Sequence, residues 1–137
     1  NREIRGSRRM RPDIIIQDDN GNVKQIIDVK YKDHELSPGD LYQIGFYMHE
    51  YGKNNELDHA FAILPESDNV SNESYTSTKK KKNVHQRTLD VNECLHMIKD
   101  DDDEGLRKIV RNLIKIDDWL FFVKYIFEYK IENHNLL

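Results

Sequence analysis

β-Branched residues dominate Ile14 to Ile16 and Val23 to Val29, two short runs separated by Asp18-Asp19-Asn20-Gly21-Asn22, whose Asn-Gly step signals a hairpin. Ser37-Pro38-Gly39-Asp40 predicts a helix start, with Ser37 as N-cap and Pro38 in the first turn, and Gly52 predicts its stop. Between them Leu41, Ile44, Met48 and Tyr51 form a core-facing stripe, while Asp40, Gln43, Tyr47 and Glu50 follow helical spacing along another. Ala60-Phe61-Ala62-Ile63-Leu64 reads as a buried strand over His59 to Pro65, and the alternation from Val84 to Val91 reads as another. The polar segment 66–83 reads as a mobile loop, and 104–131 as C-terminal helices: Leu106, Ile109, Val110 and Leu113 keep helical spacing, then Trp119, Phe122, Val123, Ile126 and Phe127. The fold class predicted is α/β, a small mixed sheet flanked by helices, in a single domain over 1–137.

The hairpin register carries the chemistry. With Asn20-Gly21 as a two-residue loop, Asp19 pairs with Asn22 and, further down the ladder, Asp13 stands directly opposite Asp28. Opposed residues share a sheet face with Cβ atoms roughly 4.5 to 5.5 Å apart, near enough for two carboxylates to share one cation. Lys30 falls on that face as well, whereas Ile14, Ile16, Val23, Ile27 and Val29 fall on the other, which the alternation marks as the core side. Like charges directly opposed destabilise a sheet unless neutralised, and Mg²⁺ is the natural neutraliser. On spacing alone Gln43 and Tyr47 are an ordinary helix flank. Their position just after the Asp28-Val29-Lys30 strand makes them site candidates instead.

Three elements in order, Met10-Arg11-Pro12-Asp13-Ile14-Ile15-Ile16, Ile27-Asp28-Val29-Lys30-Tyr31-Lys32 and Asp40-Leu41-Tyr42-Gln43-Ile44-Gly45-Phe46-Tyr47, resemble the PD-(D/E)-x-K nuclease superfamily. Within it they are most similar to the McrC family, the nuclease subunits of modified-cytosine restriction systems. The resemblance covers about the first fifty residues and implies a restriction-endonuclease-like fold. It implies that Asp13 and Asp28 coordinate Mg²⁺, that Val29 adds its backbone carbonyl, and that Lys30 positions the nucleophilic water. Gln43 and Tyr47 match the Q-x-x-x-Y element of this branch. It further implies a partner, a nucleotide-hydrolysing motor subunit that recognises modified DNA. Such proteins begin with a helix ahead of the first strand; this chain starts at Asn1 with little of it and reads as a fragment of a longer protein.

Charge then refines the picture. The chain has 137 residues, 34% charged and 37% hydrophobic, with a net charge of −4, so any affinity for nucleic acid must come from local patches. Five arginines lie within residues 2 to 11, and Arg8, Arg9 and Arg11, with Lys32, are the candidate phosphate contacts. Lys79 to Lys82 form a second basic run, more simply a solvated loop. The acidic run from Asp100 to Glu104 lacks calcium-loop spacing and reads as a linker and helix start. Six histidines show no zinc spacing, and the single Cys94 excludes an internal disulfide and fits a reducing, cytoplasmic setting. No apolar run is long enough for a membrane span.

The reading is an Mg²⁺-dependent DNA endonuclease, with Mn²⁺ as a substitute ion. The alternatives are a catalytically silent nucleic-acid-binding or assembly module on the same fold, or a nuclease acting on RNA or a repair intermediate.

Overall fold

The computed structural model describes residues 10–53, 56–77 and 81–115. It divides into two compact units, Asn1–Glu93 and Cys94–Leu137. The first holds β1 (Ile14–Gln17), β2 (Val23–Val29), α1 (Pro38–Tyr51), β3 (His59–Pro65), β4 (Glu73–Thr76) and β5 (Asn83–Leu89). These strands form one mixed sheet in the order β1-β2-β3-β5-β4, with β2, β3 and β5 parallel and the two outer strands antiparallel to their neighbours. The architecture is α/β. α2 (Val91–Lys99) crosses from the first unit into the second, where α3 (Asp103–Leu113) follows.

The β1–β2 register is the expected one at the site end: Ile14 pairs with Ile27, Ile15 with Ile26 and Ile16 with Gln25. The turn that produces it differs from the two-residue loop read at Asn20-Gly21. Asp18 N–H donates to Asn22 O at 2.9 Å and Gly21 N–H to Asp18 O at 3.0 Å, closing a three-residue loop. Gly21 takes φ +81°, the left-handed conformation such a loop requires of its last residue. The Asp18 carboxylate accepts the Asn20 and Asn22 N–H groups, each at 2.9 Å. An odd loop alone would turn Asp13 to the wrong face. A bulge repairs this, because Gln17 pairs with Val23 while Ile16 pairs with Gln25, leaving Lys24 as the extra residue.

The division of faces also differs from the expected one. The main core lies on the same side of the sheet as Asp28: Ile26, Ala60, Ala62, Leu64 and Val84 pack with Ile44, Tyr47 and Met48 of α1 and with Leu36, Leu57 and Val70. Val23 joins this side, not the Ile27 side, since the bulge at Lys24 shifts the alternation by one. Chemistry and core therefore share a face, and Ile14, expected inside, is 47% exposed. Ile26, Ile44 and Leu64 are fully buried, each contributing about 1.5 to 3 kcal/mol of hydrophobic stabilisation.

α1 begins and ends as its sequence predicts. Ser37 Oγ accepts from Asp40 N–H at 3.1 Å while the Asp40 carboxylate accepts from Ser37 N–H at 2.9 Å, a complete capping box. Gly52 closes it with an N–H bond to Met48 O at 3.0 Å. A Cβ there would lie 2.6 Å from Met48 O and 2.8 Å from Leu57 Cβ, so the close approach needs glycine. The run into the cap is held by Gln86, wholly buried on β5. Its Oε1 accepts from Leu36 N–H at 2.9 Å, and its Nε2 donates to Ser71 O at 2.7 Å and to Glu35 Oε2.

Two further differences concern the second half. The segment 66–83, read as a loop, contains β4, whose polar residues pair with β5 along one edge of the sheet. β5 ends at Leu89, not Val91, and Val91 instead opens α2, which the alternation concealed. α3 starts at Asp103 behind an Asp102 cap, so the acidic run is a helix start as expected. The second predicted C-terminal helix, around Trp119 to Phe127, lies outside the described residues. Among the described residues no helix is long and apolar enough to cross a membrane.

Candidate active site

β2 and β3 continue to pair just past the last strand residue, where Lys30 N–H donates to Ile63 O at 2.9 Å. This extension carries Asp28 and Lys30 to the N-terminal half of α1. Asp28 is 5% exposed. Its Oδ2 lies 2.8 Å from Lys30 Nζ. Asp13, one residue before β1, accepts from Val29 N–H at 2.7 Å, which sets it beside Asp28. The backbone amide thus fixes one carboxylate next to the other. This is the cross-strand juxtaposition expected from the register.

Gln43 and Tyr47 join them from the helix. Lys30 Nζ donates to Gln43 Oε1, so the ammonium bridges strand and helix. Tyr47 is 4% exposed within the core cluster, on the site side of α1. Burial and then the negative charge of Asp28 raise its hydroxyl's pKa, with Lys30 opposing. It therefore keeps its proton at neutral pH and can donate a hydrogen bond.

Burial also drives the Asp28 carboxyl upward from its ordinary value; Lys30 pulls it back, and Asp13 pushes it up again, leaving a net rise. Asp13 and Asp28 offer two carboxylates side by side, a donor pair that suits a small, hard divalent cation such as Mg²⁺. Among the described residues no cluster of three or more His, Cys, Asp or Glu side chains could hold a metal, and an ion on Asp13 and Asp28 alone would need backbone oxygens or water as further ligands. Val29 is present at the site through its N–H on Asp13.

The phosphate-contact candidates are distributed unevenly. Arg11 lines a surface cleft of about 340 Å³ with Pro12, Asp13 and Ile15. Lys32 is bound to the Asp40 carboxylate instead of reaching into solvent. Arg8 and Arg9 lie outside the described residues, as do Lys79 and Lys80. Lys82, from the same basic run, donates to Leu57 O at 2.8 Å and lies 3.1 Å from Asp58 Oδ1.

Asp40, read from the sequence as a helix-start residue on the stripe of Gln43 and Tyr47 but not as a site residue, also reaches the site. Besides capping α1 it binds Lys32, and its Oδ1 stands 4.0 Å from Lys30 Nζ. Burial raises its pKa, but Lys32 and Ser37 outweigh that and hold it below the ordinary value. The helical stripe from Asp40 through Gln43 to Tyr47 was the signal that could have found it. On the opposite sheet face His59 Nδ1 and His85 Nε2 lie 2.7 Å apart with parallel rings, and Ser74 Oγ meets His85 Nδ1 at 2.8 Å. No protein-family model matches this chain, and no curated protein matches it.

Proposed function

We propose that the chain is an Mg²⁺-dependent nuclease that hydrolyses DNA phosphodiester bonds, with Asp13 and Asp28 holding the ion. The observation that carries this reading is the placement of Asp13, bonded to Val29 N–H, beside the buried Asp28, with the Lys30 ammonium 2.8 Å from Asp28 and bonded onward to Gln43. When bound, Mg²⁺ would lower the pKa of a coordinated water and neutralise charge developing on the phosphate; Mn²⁺ would substitute. Lys30 orients the attacking water, and Gln43 fixes the direction of the ammonium. The protonated Tyr47 hydroxyl donates to a phosphate oxygen, and Arg11 supplies positive charge at the cleft.

The three stretches similar to the McrC family, Met10 to Ile16, Ile27 to Lys32 and Asp40 to Tyr47, support a narrower reading. The chain would be the cleavage subunit of a cytoplasmic restriction system for modified DNA, recruited by a nucleotide-hydrolysing motor subunit. Nicking of supercoiled plasmid in Mg²⁺ or Mn²⁺, with the motor partner added, tests the activity. Wild type should nick, and Asp28→Ala and Lys30→Ala should lose the activity. Equal nicking by all three would remove these residues from the reaction.

A further inference from the structure

The Lys30 ammonium faces acceptors on both the strand and the helix. Nζ lies 2.8 Å from Asp28 Oδ2, bonds to Gln43 Oε1, and stands 4.0 Å from Asp40 Oδ1. Asp28 belongs to β2 and Asp40 to the first turn of α1, so the ammonium sits between two carboxylates on different elements. Asp40 is itself anchored by the Ser37 N–H and Lys32, which keep its carboxylate pointed at this corner. Lys30 is 16% exposed along its side chain, leaving little freedom except movement between these partners.

We propose that Asp40 is the second acceptor of Lys30, a positioning residue that takes the ammonium when a divalent cation occupies Asp13 and Asp28. The inference rests on the metal reading above. A cation on Asp28 repels an ammonium held against the same carboxylate, so Lys30 must shift or the cation binds weakly. Asp40 Oδ1 offers a second carboxylate 4.0 Å from Nζ, while Gln43 Oε1 serves as the pivot that both positions share. Lys32 sets how available Asp40 is, because it competes for the same carboxylate. The alternating chain Asp28, Lys30, Asp40, Lys32 thereby couples cation occupancy at the strand to the N-terminal turn of the helix.

The test is a double-mutant cycle on Mn²⁺ affinity, measured by calorimetry without DNA, so that turnover does not enter. Asp40→Asn preserves an acceptor for the Ser37 N–H and so protects the cap. In the wild-type background it should weaken Mn²⁺ binding by about tenfold, whereas in a Lys30→Met background it should change affinity by less than about twofold. Lys32→Met should act in the opposite direction, tightening binding about two- to threefold, and only when Lys30 is present. Equal weakening by Asp40→Asn in both backgrounds would overturn the inference, since Asp40 would then act by its charge alone. Absence of Mn²⁺ binding to wild type would overturn the metal reading and this inference together. Thermal unfolding of each variant without metal distinguishes a folding defect, and if Asp40→Asn proves unfolded, the Lys32→Met arm of the cycle decides alone.

Discussion

The amide of Val29 donates to Asp13 at 2.7 Å, and through that bond the backbone of one strand aims the carboxylate of the chain segment beside it. Asp13 is thereby held beside Asp28, whose own carboxylate is almost completely buried. Burial disfavours the Asp28 anion, and the stability of the fold should respond to its removal.

Asp28→Asn should stabilise the protein. Burial and Asp13 disfavour the Asp28 anion more than Lys30 favours it, so a neutral isostere relieves a net penalty. The expected gain in urea unfolding at pH 7 is about 1 kcal/mol, on the scale of stabilising changes at functional sites. A loss of that size would mean that the Lys30 ion pair outweighs burial. The advantage should shrink on acidification. A carboxyl whose folded pKa is raised penalises the folded state above that value, and the penalty fades as pH falls toward its ordinary value near 3.8.

Glu35 works in the opposite sense. Its pKa is lowered chiefly by the Gln86 amide, with Ser71 and Tyr75 adding bonds. A carboxylate of this kind contributes stability above its unfolded value, near 4.5, and that contribution is lost as pH falls through the lower folded value. Glu35→Gln should therefore flatten the acid limb of the stability profile below pH 4.5. A wild-type-like slope in that range would show that Glu35 is not coupled to Gln86 in solution.

Deleting Lys24 isolates the bulge. Without the extra residue the three-residue loop would place β1 one step out of phase, turning Asp13 away from Asp28. Lys24→Ala keeps the bulge and should alter stability by less than about 0.5 kcal/mol. Mn²⁺ binding should survive in Lys24→Ala and vanish in the deletion. Persistence in both would show that another feature sets the register.

Gly52→Ala should cost about 1 to 3 kcal/mol, the usual range for overpacking, because its Cβ would meet the Met48 carbonyl at 2.6 Å and Leu57 Cβ at 2.8 Å. Chemical denaturation measures it directly. A neutral result would imply that the end of α1 and Leu57 separate easily.

Much of the candidate site was legible because it rests on local rules. The facing aspartates, the Ser37 cap and the helical spacing of Gln43 and Tyr47 all follow from periodicity and short-range chemistry. The bulge at Lys24 was not legible, since one extra residue in a strand leaves no compositional mark. The expected register was reached with two departures that cancel, an odd loop and a bulge. The core face was misread for the same reason that Asp28 is unusual: alternation assigns a carboxylate to solvent, whereas α1 covers the face that carries it. β4 escaped notice because an edge strand can be polar throughout, and the His59–His85 contact because it crosses two parallel strands.

The proposed chemistry requires Asp13 and Asp28 to hold one divalent cation between them, and electron paramagnetic resonance of Mn²⁺ titrated into wild type, Asp13→Asn and Asp28→Asn measures this. One Mn²⁺ should bind per chain in wild type and be displaced by Mg²⁺, and that site should be lost in each variant with the fold retained. Mn²⁺ binding that is unchanged in both variants would contradict that requirement.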